Sequence, residues 1–205
     1  MNDSQSYIVR RVVKELDDKK SRLLSAAKEV LAEKGLEKAT ISDIVKRAGM
    51  AQGTFYLYFS SKNALIPAIA NDLLQTMLHK IKEEQVLSDD IWSFFHKMIT
   101  VTFQVTNSYK EVLSLCYSGL AIDNTLSEWD RIYNPYYSWL AEIIAKGIEQ
   151  KTIRQDVDPL VAARMVIGLI ESSAEQIYLF NKLDKPLPEH QQDLFTFIHH
   201  ALEHR

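Results

Sequence analysis

Residues 53–59, GTFYLYF, place bulky apolar and aromatic side chains directly after a glycine and a threonine. Successive residues of a helix are 100° apart, so Phe55 and Phe59 share one face while Gly53 and Leu57 lie on the opposite face. The run therefore cannot be buried as a whole. If the phenylalanines point into a core, Leu57 is exposed beside a bare glycine, which is typical of a surface that a partner covers.

The segment before this run has the pattern of a longer helix. An apolar stripe at helical spacing ends before Gly35, a residue that can close a helix. The stripe consists of Leu23, Ala27, Val30 and Leu31. Residues 1–18 form an N-terminal extension with three basic side chains. The extension is disordered, lengthens the first helix, or reaches into a minor groove as a basic arm.

A second, shorter helix follows. Thr40 and Asp43 have the spacing of an N-cap residue and its reciprocal partner. Gly49 can adopt the left-handed backbone that a sharp reversal needs, and a third helix begins near Gln52. The three helices predict a helix-turn-helix head over residues 19–66.

The exposed side of the third helix suits the major groove of DNA. A helix enters that groove with its N-terminal end toward the base edges, and a glycine there permits close approach. Gln52 can pair with adenine, and Leu57 can touch a thymine methyl group. Neighbouring hydroxyl and ammonium groups can bind phosphate. The predicted DNA-contacting residues are Thr40, Gln52, Gly53, Thr54, Tyr56, Leu57, Tyr58 and Lys62.

Residues 40–65, TISDIVKRAGMAQGTFYLYFSSKNAL, resemble the helix-turn-helix of the tetracycline-repressor (TetR) family of bacterial transcriptional regulators. The cap, the turn glycine, Gly-Thr, Tyr-x-Tyr-Phe and Ser-Lys all agree, whereas Ala51 and Gln52 stand where Ser and Lys are frequent. The resemblance implies a homodimer that binds a palindromic operator and is released by a small molecule. The alternative is a helical protein-interaction or metal-responsive module without DNA binding.

Charge and composition fit an all-α regulator with two parts. Residues 1–66 carry twelve Lys or Arg and eight Asp or Glu, a net charge of +4, and the remainder carries −7. A basic head suits phosphate. With few Gly and Pro, one cysteine (Cys116), no secretory signal and no long apolar run, we expect a helical cytoplasmic protein without a membrane span.

Residues 67–205 are expected to form a larger helical domain for ligand binding and dimerisation. Aromatic side chains with a few hydroxyl groups are the usual lining of a small-molecule pocket, although plain core packing is the more common role for any single one of them. The candidate ligand-binding residues are Trp92, Phe95, Phe103, Tyr117, Trp129, Tyr133 and Tyr137. The resemblance implies a pocket for an unknown effector in this domain without saying which residues line it.

The last two helices are candidates for the dimer interface. The segment after Pro159 is apolar on nearly every side, and the final segment offers a second apolar stripe. The candidate interface residues are Ile167, Ile170, Ala174, Leu194, Ile198 and Ala201. The resemblance places the dimer contact here, and burial within one chain is the alternative.

Catalytic and metal-binding motifs give no further lead. The sequence lacks a phosphate-binding loop, a nucleophile elbow and a paired His-Glu zinc motif, so we predict no enzyme activity and no cofactor. His200 and His204 have the spacing of a helical metal pair. A solvated helix end, where histidine complements the dipole, is the simpler interpretation, so no metal site is predicted.

Overall fold

A computed structural model describes the backbone of residues 3–84, 90–120 and 126–204, and the side chains of residues 18–83, 90–115 and 130–204. These residues form helices joined by short loops, with one isolated β-bridge, which confirms the all-α prediction. The helices are α1 Asp3–Lys38, α2 Ile41–Ala48, α3 Gln52–Tyr56, α4 Leu65–Glu84, α5 Ile91–Ser108, α6 Lys110–Leu120, α7 Leu126–Glu149, α8 Pro159–Tyr178 and α9 Leu187–Leu202.

The chain divides into two compact units, here called the head and the body. The head comprises Met1–Asp72 with Leu115–Asp123, and the body comprises Leu73–Ser114 with Asn124–Arg205. The division falls inside α4, the helix that also contains the boundary expected from the sequence at residue 66.

The core of the head contains the predicted apolar stripe of α1, which packs against α2, and α2 in turn contacts α3. All four stripe residues are buried, as are Ile44 and Val45 of α2. Gly35 has φ 75° and ψ 164°, which interrupts the helical backbone where the sequence predicted an end. Residues 3–18 continue α1, in agreement with the interpretation that the extension lengthens this helix.

In the body, α5 and α9 run antiparallel and contact each other through aromatic and histidine rings. The ring centroids of Trp92 and His199 are 4.2 Å apart, and those of His96 and Phe195 are 3.7 Å apart. Because residue numbers rise along one helix as they fall along the other, the two helices pair along most of their length. Helix α8 packs between this pair and α7.

Two caps define where the body helices begin. The carboxylate of Asp90 accepts hydrogen bonds from the backbone N–H groups of Trp92 at 2.9 Å and Ser93 at 3.1 Å. The carboxylate of Asp158 accepts from the backbone N–H of Val161, as expected for a helix with proline in its first turn.

The end of α9 is tied to the turn that follows α7. The backbone N–H of Arg154 donates to the carbonyl of Leu202 at 2.9 Å, and the N–H of His204 donates to the carbonyl of Thr152 at 3.2 Å. These two bonds flank the bridge between Ile153 and Glu203. Among the described helices, none is both long and apolar enough to cross a membrane.

Candidate DNA-binding surface and body sites

Helix α3 is anchored from behind by two buried rings. Phe55 and Phe59 are almost completely buried, with ring centroids 5.5 Å apart. On the other side Leu57 is 78% exposed and Tyr56 is 53% exposed. Gly53 is also exposed, and a Cβ added there would meet nothing within 4 Å. The placement follows the spacing argument from the sequence and leaves a bare, partly apolar face on a short helix.

The remaining predicted contact residues of α3 surround this face. Gln52 is exposed and Thr54 is half-buried. Ala51 occupies the N-cap position and provides no side-chain hydrogen bond. The side chains that face solvent from α3 therefore combine an amide, a hydroxyl and a large apolar group around the glycine.

Thr40 holds the start of α2. Its hydroxyl accepts from the backbone N–H of Asp43 at 3.1 Å, and its own N–H and hydroxyl both donate to the Asp43 carboxylate. Lys34 and then Thr40 lower the pKa of Asp43 to about 2 by hydrogen bonding to its carboxylate. The predicted capping box is confirmed. Both donors of Thr40 are thus occupied within the chain. The phosphate contact expected of Thr40 stays a prediction.

Lys62 has a different role from the one expected. Its Nζ donates to the backbone carbonyls of Leu36 at 2.6 Å and Ala39 at 2.9 Å, beyond the interruption of α1 at Gly35. Carbonyls at a helix end lack partners within the helix, so an ammonium group satisfies them well. In this structure Lys62 ties the end of α1 to the segment after α3, and the phosphate contact expected of it stays a prediction.

Tyr58 also departs from its expected role. The sequence interpretation offered its hydroxyl to phosphate, but the hydroxyl oxygen is buried and has no hydrogen-bond partner among the described residues. The reason is geometric, because Tyr58 lies at the border of the face that Phe55 and Phe59 bury. A phosphate contact from Tyr58 would need its ring to swing outward.

Three cations of the head, Lys28, Lys34 and Arg47, form ion pairs with acids of the same chain. Both terminal nitrogens of the Arg47 guanidinium bind carboxylates of α1, at 3.0 Å for Glu29 and 2.7 Å for Glu33. In contrast, Lys38 and Lys46 are exposed, and no ion pair within the described residues involves them. Spacing along the sequence does not reveal ion pairs between helices. The sequence therefore could not show that Arg47 is paired while Lys46 is exposed.

The predicted aromatic lining of the body does not form one cluster in the described residues. Trp92 and Phe103 are separated by 11 residues of α5, or about 16 Å along the helix axis. Trp92 packs on His199, whereas Phe103 packs near Tyr178 and His190. Phe95 and Phe103 are buried in the core. The side chains of Tyr117 and Trp129 lie outside the described residues.

A polar group in this apolar body was missed by the sequence analysis. Glu171 of α8 is half-buried. Burial, and to a smaller extent the charge of Glu175, raise the pKa of its carboxyl to about 8, whereas a hydrogen bond from Tyr133 acts to lower it. The ring of Tyr133 is 5.7 Å from that of Tyr137. Glu171 is therefore largely protonated at neutral pH and can donate a hydrogen bond. An acidic residue inside an otherwise apolar helix is the signal that could have identified it.

Two hydroxyl groups near this carboxyl are also buried. Neither the Tyr136 hydroxyl nor the Thr102 hydroxyl has a partner in full hydrogen-bond geometry among the described residues. Burial, followed by the neighbouring Glu171, raises the pKa of Tyr136 well above its usual range, an effect that Thr102 partly opposes. Buried polar groups without partners are uncommon in proteins and mark places where a ligand can bind.

The predicted dimer residues are mostly core residues of their own chain. Ile167, Ile170, Ala174, Leu194 and Ile198 are buried, and only Ala201 of the predicted set is exposed. The sequence could not show this, because the pattern of an apolar helix with two covered faces does not indicate which face packs against its own chain.

The opposite sides of α8 and α9 carry an exposed apolar face. Met165 is 69% exposed and Phe197 is 65% exposed, and Val161 is exposed on the same side as Met165. Between the two helices lies a groove of about 380 Å³. The residues that line this groove include Val161, Met165, Phe197 and Ala201. A contiguous exposed apolar face of this kind is typical of a protein–protein contact or a ligand-binding groove.

Comparisons with known proteins agree with both units. The model described as "Bacterial regulatory proteins, tetR family" matches residues 23–69, and "Tetracyclin repressor-like, C-terminal domain" matches residues 95–202. The HTH-type transcriptional regulator YvdT of Bacillus subtilis (strain 168) is 47% identical over 189 residues, covering 92% of this chain and 97% of YvdT.

Two further similarities involve fatty acid regulators. The fatty acid metabolism regulator protein of Bacillus subtilis (strain 168) is 27% identical over 166 residues, which cover 78% of this chain and 84% of that protein. The crystal structure of FadR from Bacillus subtilis in complex with stearoyl-CoA has a TM-score of 0.71 at 22% identity, covering 87% of this chain and 96% of that chain. The latter similarity shows a shared fold.

The contacts of Lys62 with the end of α1 predict that this side chain stabilises the fold of the head. Lys62→Met leaves the carbonyls of Leu36 and Ala39 without a charged donor and should lower the free energy of unfolding by about 1–3 kcal/mol. Lys46→Met removes the same charge from an exposed site and should change stability by less than about 0.5 kcal/mol. Urea denaturation followed by circular dichroism measures both, and equal stabilities of the two variants would contradict the assigned role of Lys62.

Proposed function

The chain belongs to the TetR family of bacterial regulatory proteins, and we propose that it is a ligand-responsive repressor that binds a palindromic operator as a homodimer. The family establishes a helix-turn-helix transcriptional regulator. Repression, the dimer and release by a small molecule are the parts that we infer.

The observation that carries the DNA-binding role is the exposure of Leu57 and Tyr56 beside the bare backbone of Gly53. The two buried phenylalanines behind them fix the orientation of α3, so the exposed face is presented rigidly. A face of this shape fits the major groove, where Leu57 can meet a thymine methyl group and Gln52 an adenine edge. Thr54, Tyr56 and the exposed Lys46 are suited to phosphate contacts.

The groove between α8 and α9 supports the proposed homodimer. Two chains that contact each other through this face cover Met165 and Phe197, which one chain leaves mostly exposed. Two-fold symmetry then sets one α3 against each half of a palindrome, in successive major grooves about 34 Å apart. Gly168 and Ser172 continue the exposed side of α8 and allow the partner helix to approach closely.

The effector is proposed to bind in the body near Glu171. A protonated carboxyl, the Tyr133 hydroxyl and two buried hydroxyl groups that lack a partner in full hydrogen-bond geometry among the described residues supply a few polar contacts among apolar side chains. A compound with a long apolar part and one hydrogen-bond acceptor fits this chemistry. Because FadR of Bacillus subtilis was crystallised with stearoyl-CoA, long-chain acyl-CoA is the first class to test.

DNA binding is tested by a salt titration on operator fragments captured from genomic DNA. The logarithm of the binding constant should fall linearly with the logarithm of salt concentration. Lys46→Met should weaken binding to all sequences and reduce the slope by about one, whereas Leu57→Ala should weaken binding to the operator more than to random DNA. A head that binds protein instead would show no salt slope on DNA and no difference between these variants.

The dimer is tested with a pair of exposed apolar residues. Met165→Glu places two like charges in a buried symmetric interface and should convert the dimer to monomers in sedimentation equilibrium, with a large loss of operator affinity. Leu57→Glu makes the same kind of change on α3 and should abolish operator binding while the dimer persists. A dimer that survives Met165→Glu would show that another face joins the chains.

The effector site is tested by titrating stearoyl-CoA against the protein–operator complex at several pH values. Below pH 8 the Glu171 carboxyl is protonated and donates a hydrogen bond; as pH rises through about 8 it ionises beside an anionic ligand. Affinity for stearoyl-CoA should therefore fall across this range. Glu171→Gln should remove that fall without changing operator affinity, and an unchanged pH dependence in the variant would exclude Glu171 from the site.

A further inference from the structure

At the carboxyl end of α9 we propose a binding site for a divalent transition-metal ion, with His199, His200 and Glu203 as the protein ligands. One potential ligand atom from each of these side chains lies within 4.8 Å of the others. Nδ1 of His199 is 3.4 Å from Oε2 of Glu203. Ligands bound tetrahedrally to zinc at about 2.0–2.1 Å are about 3.4 Å apart, so this pair already has the required spacing.

The backbone around these ligands is fixed. Glu203 leaves the helix with φ −58° and ψ 143°, and its N–H still donates to the carbonyl of His199 at 2.7 Å. The bridge from Glu203 to Ile153 and the two hydrogen bonds beside it prevent the fraying that is usual at helix ends. A metal ion therefore needs only side-chain adjustment to collect its ligands, with little loss of chain entropy.

Ring contacts also restrict the first ligand. The imidazole of His199 packs against the indole of Trp92 with centroids 4.2 Å apart and lies 5.8 Å from the ring of Phe195. The contact leaves Nδ1 directed toward Glu203. His200 is exposed, so the cluster is open to solvent on one side, and water can complete the coordination.

Electrostatics favour a cation at this position. The last carbonyl groups of a helix carry partial negative charge, which attracts positive ions. The neighbouring cation is Arg154, whose guanidinium forms two 2.6 Å bonds to the carboxylate of Asp156, so its charge is balanced. Two imidazoles and one carboxylate suit Zn²⁺ among the common divalent ions.

The cluster differs from the pair suggested by spacing alone. In the sequence, His200 and His204 are separated by one helical turn, but α9 ends at Leu202. The change of backbone direction at Glu203 places its carboxylate near His199 and His200, and His204 is not part of the cluster. The two alternatives can be separated because they depend on different side chains.

The site is tested by titrating Zn²⁺ into the untagged full-length protein by calorimetry, and Co²⁺ by visible absorption. We expect one ion per chain. Glu203→Gln and His200→Ala should each weaken binding by at least about tenfold, as loss of a ligand costs no less than loss of a supporting contact. Circular dichroism in EDTA confirms that both variants remain folded as the wild type does.

His79 provides a matched control. It forms an exposed pair with Glu83, with Nε2 3.2 Å from Oε1, at the same spacing as His199 and Glu203 but with no third ligand among the described side chains. His79→Ala and His204→Ala should keep wild-type affinity for Zn²⁺. The proposal would be overturned if either of these variants lost as much affinity for Zn²⁺ as Glu203→Gln. It would also be overturned if the wild type bound no stoichiometric Zn²⁺. The measurement uses no DNA, so its outcome is independent of the proposed repressor function.

Discussion

The burial of Phe55 and Phe59 decides the arrangement of the head. Each ring removed from water contributes about 1.5–3 kcal/mol, a large share of what holds so short a helix in place. Helix α3 has five residues and could not persist alone, since isolated helices of that length are unstable. Once both rings point inward, helical geometry leaves Leu57 and Gly53 no position except the surface. The candidate DNA-binding face is thus a consequence of core packing.

Much of the positive charge of the head contributes to its own structure. Lys62 binds carbonyls at the end of α1, and Arg47 binds two carboxylates of the same helix. Charge counted along the sequence therefore overstates what is available to phosphate. The cations that remain exposed, such as Lys46, gain importance, because counterion release depends on the number of phosphates neutralised by free cations.

The two last helices show how one apolar segment serves two purposes. One side of α8 forms the core of the body with α5, α7 and α9, and the other side carries Met165 and Val161 into a groove open to solvent. Glu171 of α8 is hydrogen-bonded to Tyr133 of α7 and is not among the residues that line this groove. Binding of an effector and contact with a second chain can therefore use separate surfaces of one helix, which is the arrangement that coupling between them requires.

The sequence by itself determined the helices, the turn at Gly49, the cap at Thr40 and the exposed side of α3, because these follow from local spacing and backbone preference. It also gave the family, through a motif confined to neighbouring residues. Only the tertiary structure decided which face of α8 is core, which basic side chains are paired, that Lys62 binds carbonyls at the end of α1, and that the Tyr58 hydroxyl is buried. It likewise brought Glu171 of α8 to Tyr133 of α7. The physical reason is that contacts between helices depend on rotation and register, which local periodicity leaves open.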